Sequence, residues 1–134
     1  MPFWRLFYHI TWGTKNRLPL IDSGFEQALY KVIAAKGVEL GARVHAVGGI
    51  ENHVHLLASI PPKLVLSSFI GQVKGNSSHF VNNVIKPNFA FAWQSEFGIF
   101  TFDERSLKSL VDYVHNQREH HQSGTIVSQW ELVD

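Results

Sequence analysis

The sequence predicts a single α+β domain in which a four-stranded antiparallel sheet carries helices on one face and is followed by a C-terminal helix. Three observations support this prediction. Four segments rich in aromatic and β-branched residues alternate with segments whose apolar residues recur at helical spacing. The second and third strand segments are separated by only two residues, as in a tight hairpin. The length of 134 residues is typical of one domain.

The N-terminal part of the chain predicts a strand and then a helix. Residues 3–14 are dense in aromatic and β-branched side chains and lead into the turn-like run KNRLP. Ser23 and Glu26 have the spacing of a capping box, which predicts that a helix begins there. Gly37 and Gly41 are the two positions at which this helix is expected to end.

The middle of the chain predicts a hairpin and a second helix. Residues 43–50 and 53–60 form two β-rich runs around Glu51-Asn52, and Pro61-Pro62 closes the second run. Apolar residues then recur at helical spacing from Leu66 up to Pro87. Gly71 and Gly75 are expected to weaken this helix or to mark a bend.

The remaining chain predicts a fourth strand at residues 97–102 and a last helix over about residues 103–122. Residues 123–134 are assigned to no element, and residues 1–134 are interpreted as one domain. The first six elements of the order β-α-β-β-α-β-α match the split βαβ, ferredoxin-like arrangement. Such a sheet has its helices on one face and leaves the other face free to bind a ligand.

Composition excludes several kinds of chemistry. With no cysteine there is no disulfide, no thiolate nucleophile and no cysteine metal site, so any metal must use His, carboxylate, amide or water ligands. Eight histidines provide the obvious ligands. The sequence has neither an apolar run long enough to span a membrane nor the residue order of a secretory signal, and it therefore predicts a cytoplasmic protein.

The net charge of +1 is low for a protein that binds nucleic acid. Its distribution is more informative, because residues 1–21 and residues 52–95 contain basic side chains and no acidic ones. If the two segments adjoin in space, they form a local basic surface. The alternative is that these are scattered, solvated lysines and arginines.

His53 and His55 lie on a predicted strand and therefore point to the same face of the sheet. This geometry suits two ligands of one metal ion. The alternative is two polar residues on an exposed sheet face.

Lys74, Asn76 and Ser77 lie in the run KGNSS, where a lysine beside small polar residues could contact phosphate. The alternative there is the exposed surface of a helix.

Tyr113 and Gln117 are four residues apart on the last predicted helix and share one face of it. Tyrosine, with a pKa of about 10, is a poor nucleophile unless a base or a metal ion assists it. The amide oxygen of Gln117 is a suitable third metal ligand. His120 lies on the same side and is an accessory ligand, a phosphate contact or a solvated residue. The alternative for the pair is a core tyrosine beside an exposed glutamine.

The sequence resembles the short single-tyrosine transposases of the HUH superfamily, which include the REP-associated tyrosine transposases. The resemblance covers nearly the whole chain and is carried by the runs YHITWGTKNRLPL, NHVHLL, QVKGNSS and YVHNQREHH. The Tyr-x-x-x-Gln step is its most specific part.

The resemblance implies that His53, His55 and Gln117 hold a divalent cation, Mg²⁺ or Mn²⁺. It implies that Tyr113 attacks single-stranded DNA near a hairpin, forming a 5′-phosphotyrosine and a free 3′-OH without any nucleotide cofactor. Such enzymes act at the nucleoid, away from membranes, as homodimers whose subunits share active sites. The residues expected to contact DNA are Arg5, Lys15, Arg17, Lys74, Asn76 and Ser77.

Two other interpretations remain open at this stage. The first is an inactive or domesticated relative that binds nucleic-acid hairpins as a regulator. The second is an unrelated ferredoxin-like protein that binds a metal or a small molecule, in which Tyr113 would lie far from the histidines.

Overall fold

The computed structural model describes residues 3–127 and Glu131. Short 3₁₀ turns at Lys15–Arg17 and Glu104–Ser106 and a π-helical turn at Val81–Ile85 lie between the main elements. The main elements, in chain order, are β1 (Phe7–Gly13), α1 (Glu26–Glu39), β2 (Arg43–Ile50), β3 (His53–Ser59), α2 (Leu66–Phe80), β4 (Gly98–Thr101), α3 (Leu107–His115) and α4 (Gln117–Ser123). Among the described residues, no helix is long and apolar enough to cross a membrane.

The four strands form one sheet in the order β2-β3-β1-β4, and every neighbouring pair is antiparallel. This order confirms the predicted split βαβ, ferredoxin-like arrangement. Strands β2 and β3 form the predicted hairpin, in which Ile50 pairs with His53 around a two-residue turn. Strand β1 lies in the centre, so its residues are covered on both edges and are largely buried.

Strand β3 shows how the two faces of the sheet differ. Val54, Leu56 and Ala58 belong to the main apolar core with residues of α1 and α2, whereas Leu57 packs with Leu110 and Val114 of α3 on the opposite face. The sequence predicted that this second face would be free. It is instead partly covered by α3, because the apolar stripe of that helix needs a surface against which to be buried.

Helix α1 begins differently from the prediction. Its N-cap is Phe25, and no side chain caps it, so the predicted capping box is wrong. The turn before the helix is organised by Asp22, whose carboxylate accepts from the Gly24 N–H at 2.7 Å. The helix ends as predicted near Gly41, which has a φ of 106°. Gly37 lies within the helix, where a Cβ would be 2.9 Å from a methyl group of Val44.

Helix α2 runs through both of its glycines without the predicted bend, and Gly71 and Gly75 face open space. The single last helix predicted over about residues 103–122 is divided into α3 and α4. Asn116, with φ −108° and ψ 30°, interrupts it. Tyr113 therefore lies in the last turn of α3, and Gln117 is the first residue of α4.

Candidate metal and nucleophile site

The site lies on the sheet face covered by α3 and α4. His53 and His55 both point to this face because side chains alternate along β3, and both are almost fully buried. Gln117 approaches from α4, and its Oε1 lies 3.3 Å from Nε2 of His53. Its own amide nitrogen donates to the carbonyl of Tyr113 at 3.2 Å, which directs the amide oxygen towards the histidines. The three predicted ligands are therefore close together.

Glu131 is a further member of the site that the sequence did not predict. Its Oε1 lies 3.0 Å from Nε2 of His53, 3.1 Å from Nε2 of His55 and 3.4 Å from Nε2 of His121. Residue 131 falls in the segment to which no element was assigned, so no periodicity pointed its side chain at the sheet. Only its charge, between the apolar neighbours Trp130 and Leu132, could have drawn attention to it.

The donor atoms suit a divalent cation. The ligating atoms of His53, His55 and Glu131 all lie within 4.8 Å of one another. Two oxygen atoms, from Glu131 and Gln117, face the same imidazole nitrogen, and oxygen atoms that converge in this way need a proton or a cation between them. Imidazole nitrogen with carboxylate and amide oxygen is a donor set for hard or borderline divalent ions.

Tyr113 joins this cluster through Glu131. Its hydroxyl donates to Oε2 of Glu131 and accepts from the backbone N–H of Val127 at 3.0 Å. Its ring meets that of His55 edge-on, with centroids 6.0 Å apart, and only 4% of the residue is exposed. Burial, together with the hydrogen bond to Glu131, raises the pKa of Tyr113 to about 12. The phenol is therefore neutral near pH 7 and needs assistance to act as a nucleophile.

The two neighbouring histidines of α4, His120 and His121, contact different side chains. His120, predicted as an accessory ligand, stacks its ring on Tyr113 with centroids 4.6 Å apart, and its Nδ1 is 2.9 Å from the hydroxyl of Thr125. It is His121 that reaches the cluster, with Nε2 3.3 Å from Oε1 of Gln117. His121 lies four residues after Gln117 in α4 and shares a face of the helix with it.

Both histidines of β3 have a second partner behind them. Nδ1 of His53 lies 2.8 Å from Oδ1 of Asn52, and Nδ1 of His55 lies 2.7 Å from Nε2 of His9 on β1. His9 is 1% exposed. Burial, with a smaller contribution from His55, lowers the pKa of His9 to about 3, so His9 is neutral at physiological pH. Burial also lowers the pKa of His55.

The residues predicted to contact DNA differ in their exposure and in their hydrogen-bond partners. Lys15, Arg17 and Asn76 are exposed, and Arg5 is exposed in an ion pair with Glu104. Lys74, in contrast, donates to the carbonyls of residues 94 and 96 at 2.6 and 3.2 Å.

Ser77 is fully buried, and its hydroxyl accepts from the Trp93 indole N–H at 3.0 Å. In this structure Ser77 belongs to the core and its side chain is not available to a phosphate. The sequence did not distinguish it from Asn76, because both are small polar residues in one helical run.

The chain has recognisable relatives. The family model described as Transposase IS200 like matches residues 2–117. The chain is similar to the transposase for insertion sequence element IS200 of Salmonella typhimurium, with 26% identity over 130 residues, covering 93% of this chain and 85% of the relative. It is also similar to the ISDra2 transposase TnpA of Deinococcus radiodurans, with 23% identity over 122 residues, covering 87% and 86% of the two chains.

Two solved structures share the fold. One is a protein of Deinococcus radiodurans assigned as a transposase, with a TM-score of 0.70 and 22% identity, covering 87% of this chain and 93% of that one. The other is a REP-associated tyrosine transposase bound to a REP hairpin, with a TM-score of 0.64 and 17% identity, covering 94% and 76%. At these identities the likeness establishes a common fold.

Proposed function

Because the chain belongs to the family of IS200-like transposases, which are DNA-cleaving and rejoining enzymes, we propose that it cuts single-stranded DNA through a covalent bond to Tyr113. The substrate is single-stranded DNA that carries a hairpin. A hairpin is bound in one of the two structures that share the fold. The protein would act in the cytoplasm, on DNA of the nucleoid.

One observation carries this proposal. The carboxylate of Glu131 accepts from the hydroxyl of Tyr113 through one oxygen and lies 3.0 to 3.1 Å from Nε2 of His53 and His55 through the other. Only one carboxylate group therefore separates the hydroxyl of Tyr113 from Nε2 of His53 and His55. A cation held by these nitrogens and this carboxylate would therefore lie close to the hydroxyl of Tyr113.

The reaction needs no energy source besides the DNA. The hydroxyl oxygen of Tyr113 attacks the phosphorus, and the bond from phosphorus to the 3′ oxygen breaks. The proton lost by the phenol is balanced by the proton gained on the leaving oxygen, so the products are a 5′-phosphotyrosine and a 3′-OH. The phosphodiester energy is kept in the new ester, and a reverse attack by a 3′-OH rejoins a strand without a nucleotide cofactor.

We propose that His53, His55 and Gln117, with Glu131, hold a divalent cation, Mg²⁺ or Mn²⁺. A cation bound there would neutralise charge on the phosphate and polarise it towards attack. Tyr113 reaches the ligands of its own chain, which supports a site completed within one subunit. The homodimer with shared sites that the resemblance implies would then need exchange of α3 between subunits.

A covalent-adduct assay tests the proposal. End-labelled single-stranded DNA with a hairpin and flanking sequence, incubated with protein and Mn²⁺, should give a protein–DNA band that survives denaturing electrophoresis. Tyr113→Phe should abolish this band. Tyr8→Phe and Tyr30→Phe, at the other two tyrosines of the chain, should keep it.

A further pair of variants separates cleavage from binding. His53→Ala and His55→Ala should lose the adduct while hairpin binding persists, because hairpin binding depends on phosphate contacts rather than on the cation. Hairpin binding by the wild type without any adduct, in Mg²⁺ or Mn²⁺, would refute the nuclease and favour the hairpin-binding regulator instead.

A further inference from the structure

The two histidines at the centre of the site share a construction that their role as ligands does not require. Each presents Nε2 to the cluster and turns Nδ1 away from it, towards one polar partner. The partner of His53 is Oδ1 of Asn52 at 2.8 Å, and the partner of His55 is Nε2 of His9 at 2.7 Å. Asn52 belongs to the β2–β3 turn and His9 to β1, so the two partners come from separate parts of the chain.

We propose that His9 and Asn52 are positioning residues, which keep the proton of His55 and of His53 on Nδ1 and so leave the Nε2 lone pairs directed at the cation. The inference rests on the proposed function, because it assumes that the cluster binds a divalent ion. It adds two residues whose side chains do not themselves reach the ion.

The chemistry of imidazole supports this role. A neutral imidazole has one N–H and one lone pair, and only the lone pair can bind a cation. An amide oxygen can only accept, so the bond between Oδ1 of Asn52 and Nδ1 of His53 requires hydrogen on Nδ1. The lone pair of His53 is then fixed at Nε2. An outer acceptor of this kind both orients a ligand and raises its basicity.

The hydrogen bond between His55 and His9 fixes the proton in the same way, except that its acceptor is an imidazole nitrogen rather than an amide oxygen. One ring must donate and the other accept across the 2.7 Å between Nε2 of His9 and Nδ1 of His55. When Nε2 of His55 binds a cation, its only hydrogen is on Nδ1, and His9 must be the acceptor. Neutral His9 has the lone pair that this requires.

The position of His9 argues against a purely space-filling role. In the register of the sheet His9 is opposite Leu57, and Thr11 is opposite His55, so His9 reaches diagonally to its partner. It lies on the central strand and is 1% exposed. A buried polar ring at such a site is costly unless its hydrogen bonds are made, whereas an apolar residue would fill the space without that requirement.

The first test is the affinity for Mn²⁺, measured by the electron paramagnetic resonance signal of the free ion without any DNA. His9→Leu and Asn52→Ala remove the acceptors and should weaken Mn²⁺ binding by roughly 10- to 100-fold. His9→Gln and Asn52→Asp retain an acceptor oxygen and should bind within a few-fold of wild type or more tightly. Leu57→Val, opposite His9 on the same sheet face, disturbs the packing alone and should leave the affinity unchanged.

The second test needs no substitution. In Zn²⁺-loaded, ¹⁵N-histidine-labelled wild type, an N–H···N bond gives a scalar coupling between Nδ1 of His55 and Nε2 of His9. The inference predicts this coupling with the hydrogen on His55. Its absence from the Zn²⁺-loaded protein would overturn the role of His9, even if His9→Leu fails to fold.

The outcomes distinguish this inference from the proposal beneath it. If wild type binds Mn²⁺ and both His9→Leu and Asn52→Ala bind it equally well, the positioning role is wrong and the metal site stands. If wild type binds no Mn²⁺ at all, the metal site is wrong and the inference falls with it. Weak binding by His9→Leu that is restored in His9→Gln establishes the positioning role, because loss of packing alone would not be rescued in this way.

Discussion

The carbonyl oxygen of Val114 lies so close to Gly48 that a side chain at position 48 would overlap it. Helix α3 therefore rests directly on the backbone of β2, with no side chain between them. Gly48 is paired with His55 in the sheet, and Val114 follows Tyr113 in the helix. The close approach at Gly48 thus sets the distance between the helix that carries the tyrosine and the strand that carries the histidines.

Gly48→Ala should consequently damage both stability and activity. The added methyl group meets backbone, which cannot rotate away, so α3 must move outward. We expect a loss of about 2 kcal/mol or more in the free energy of unfolding, measured in urea, and weaker formation of the Tyr113 adduct. Gly71→Ala is the matched control, since that glycine faces open space within α2 and its replacement should stabilise by about 0.5–1 kcal/mol. Equal stabilities for the two variants would contradict the close approach.

Ser77→Ala and Asn76→Ala should separate a core hydroxyl from a surface amide. Removing the Ser77 hydroxyl leaves the Trp93 indole N–H without its acceptor, at a cost of about 1–3 kcal/mol. Asn76 is exposed, so its replacement should change stability by less than about 0.5 kcal/mol. Thermal or urea unfolding measures both. If Asn76→Ala is the more destabilising of the two, the assignment of Ser77 to the core is wrong.

The metal-free protein should lose stability in acid through His9. Burial lowers the pKa of His9 from its ordinary value of 6.5 to about 3 in the folded chain. Between these pH values the unfolded chain binds a proton that the folded chain does not, so the free energy of unfolding decreases as pH falls, by about 1.4 kcal/mol per pH unit. Urea unfolding from pH 7 to pH 4 should show a shallower slope in His9→Gln. If the free energy of unfolding falls equally with pH in wild type and His9→Gln, burial does not lower the pKa of His9 in the folded chain.

Glu131→Gln should weaken the binding of Mn²⁺. Burial opposes ionisation of Glu131, but its contacts with His53, His55 and Tyr113 outweigh burial and hold the pKa of this carboxyl below its usual range. Removing this negative charge should reduce affinity by roughly tenfold or more in a calorimetric titration. Asp112→Asn, an equal charge change at an exposed position of α3, is the control. Tighter binding by Glu131→Gln would mean that Glu131 covers the site rather than holding the ion.

The order of the strands and helices followed from the sequence because the apolar residues within each segment repeat with the period of a strand or of a helix. The alternation along residues 53–60 was enough to place His53 and His55 on one face, and Gly41 ended α1 because its positive φ suits glycine. The start of α1 was not predictable in the same way. Ser23 offered the spacing of a cap, but the backbone turn organised by Asp22 competes with it and forms instead.

The site itself was predicted in part. Alternation along a strand put His53 and His55 on one face, and a spacing of four put Tyr113 and Gln117 on one face of a helix. It was the resemblance that joined the two pairs in one site. The break at Asn116 was not predicted, and it is His121 rather than His120 that reaches the cluster. Glu131 depends on a contact between distant parts of the chain, which no local pattern encodes.

Members of the site lie far apart along the sequence, so the site is expected to form late in folding. His9 pairs with a residue 46 positions away, and Glu131 reaches one 76 positions away. Contacts of such high sequence separation are slow to form, because loop closure must be achieved before they contribute. A growing chain on the ribosome can therefore build the hairpin of β2 and β3 early, yet it has no tyrosine beside those histidines until α3 has docked. Under the proposed function, strand cleavage would thereby be restricted to a chain in which α3 has docked.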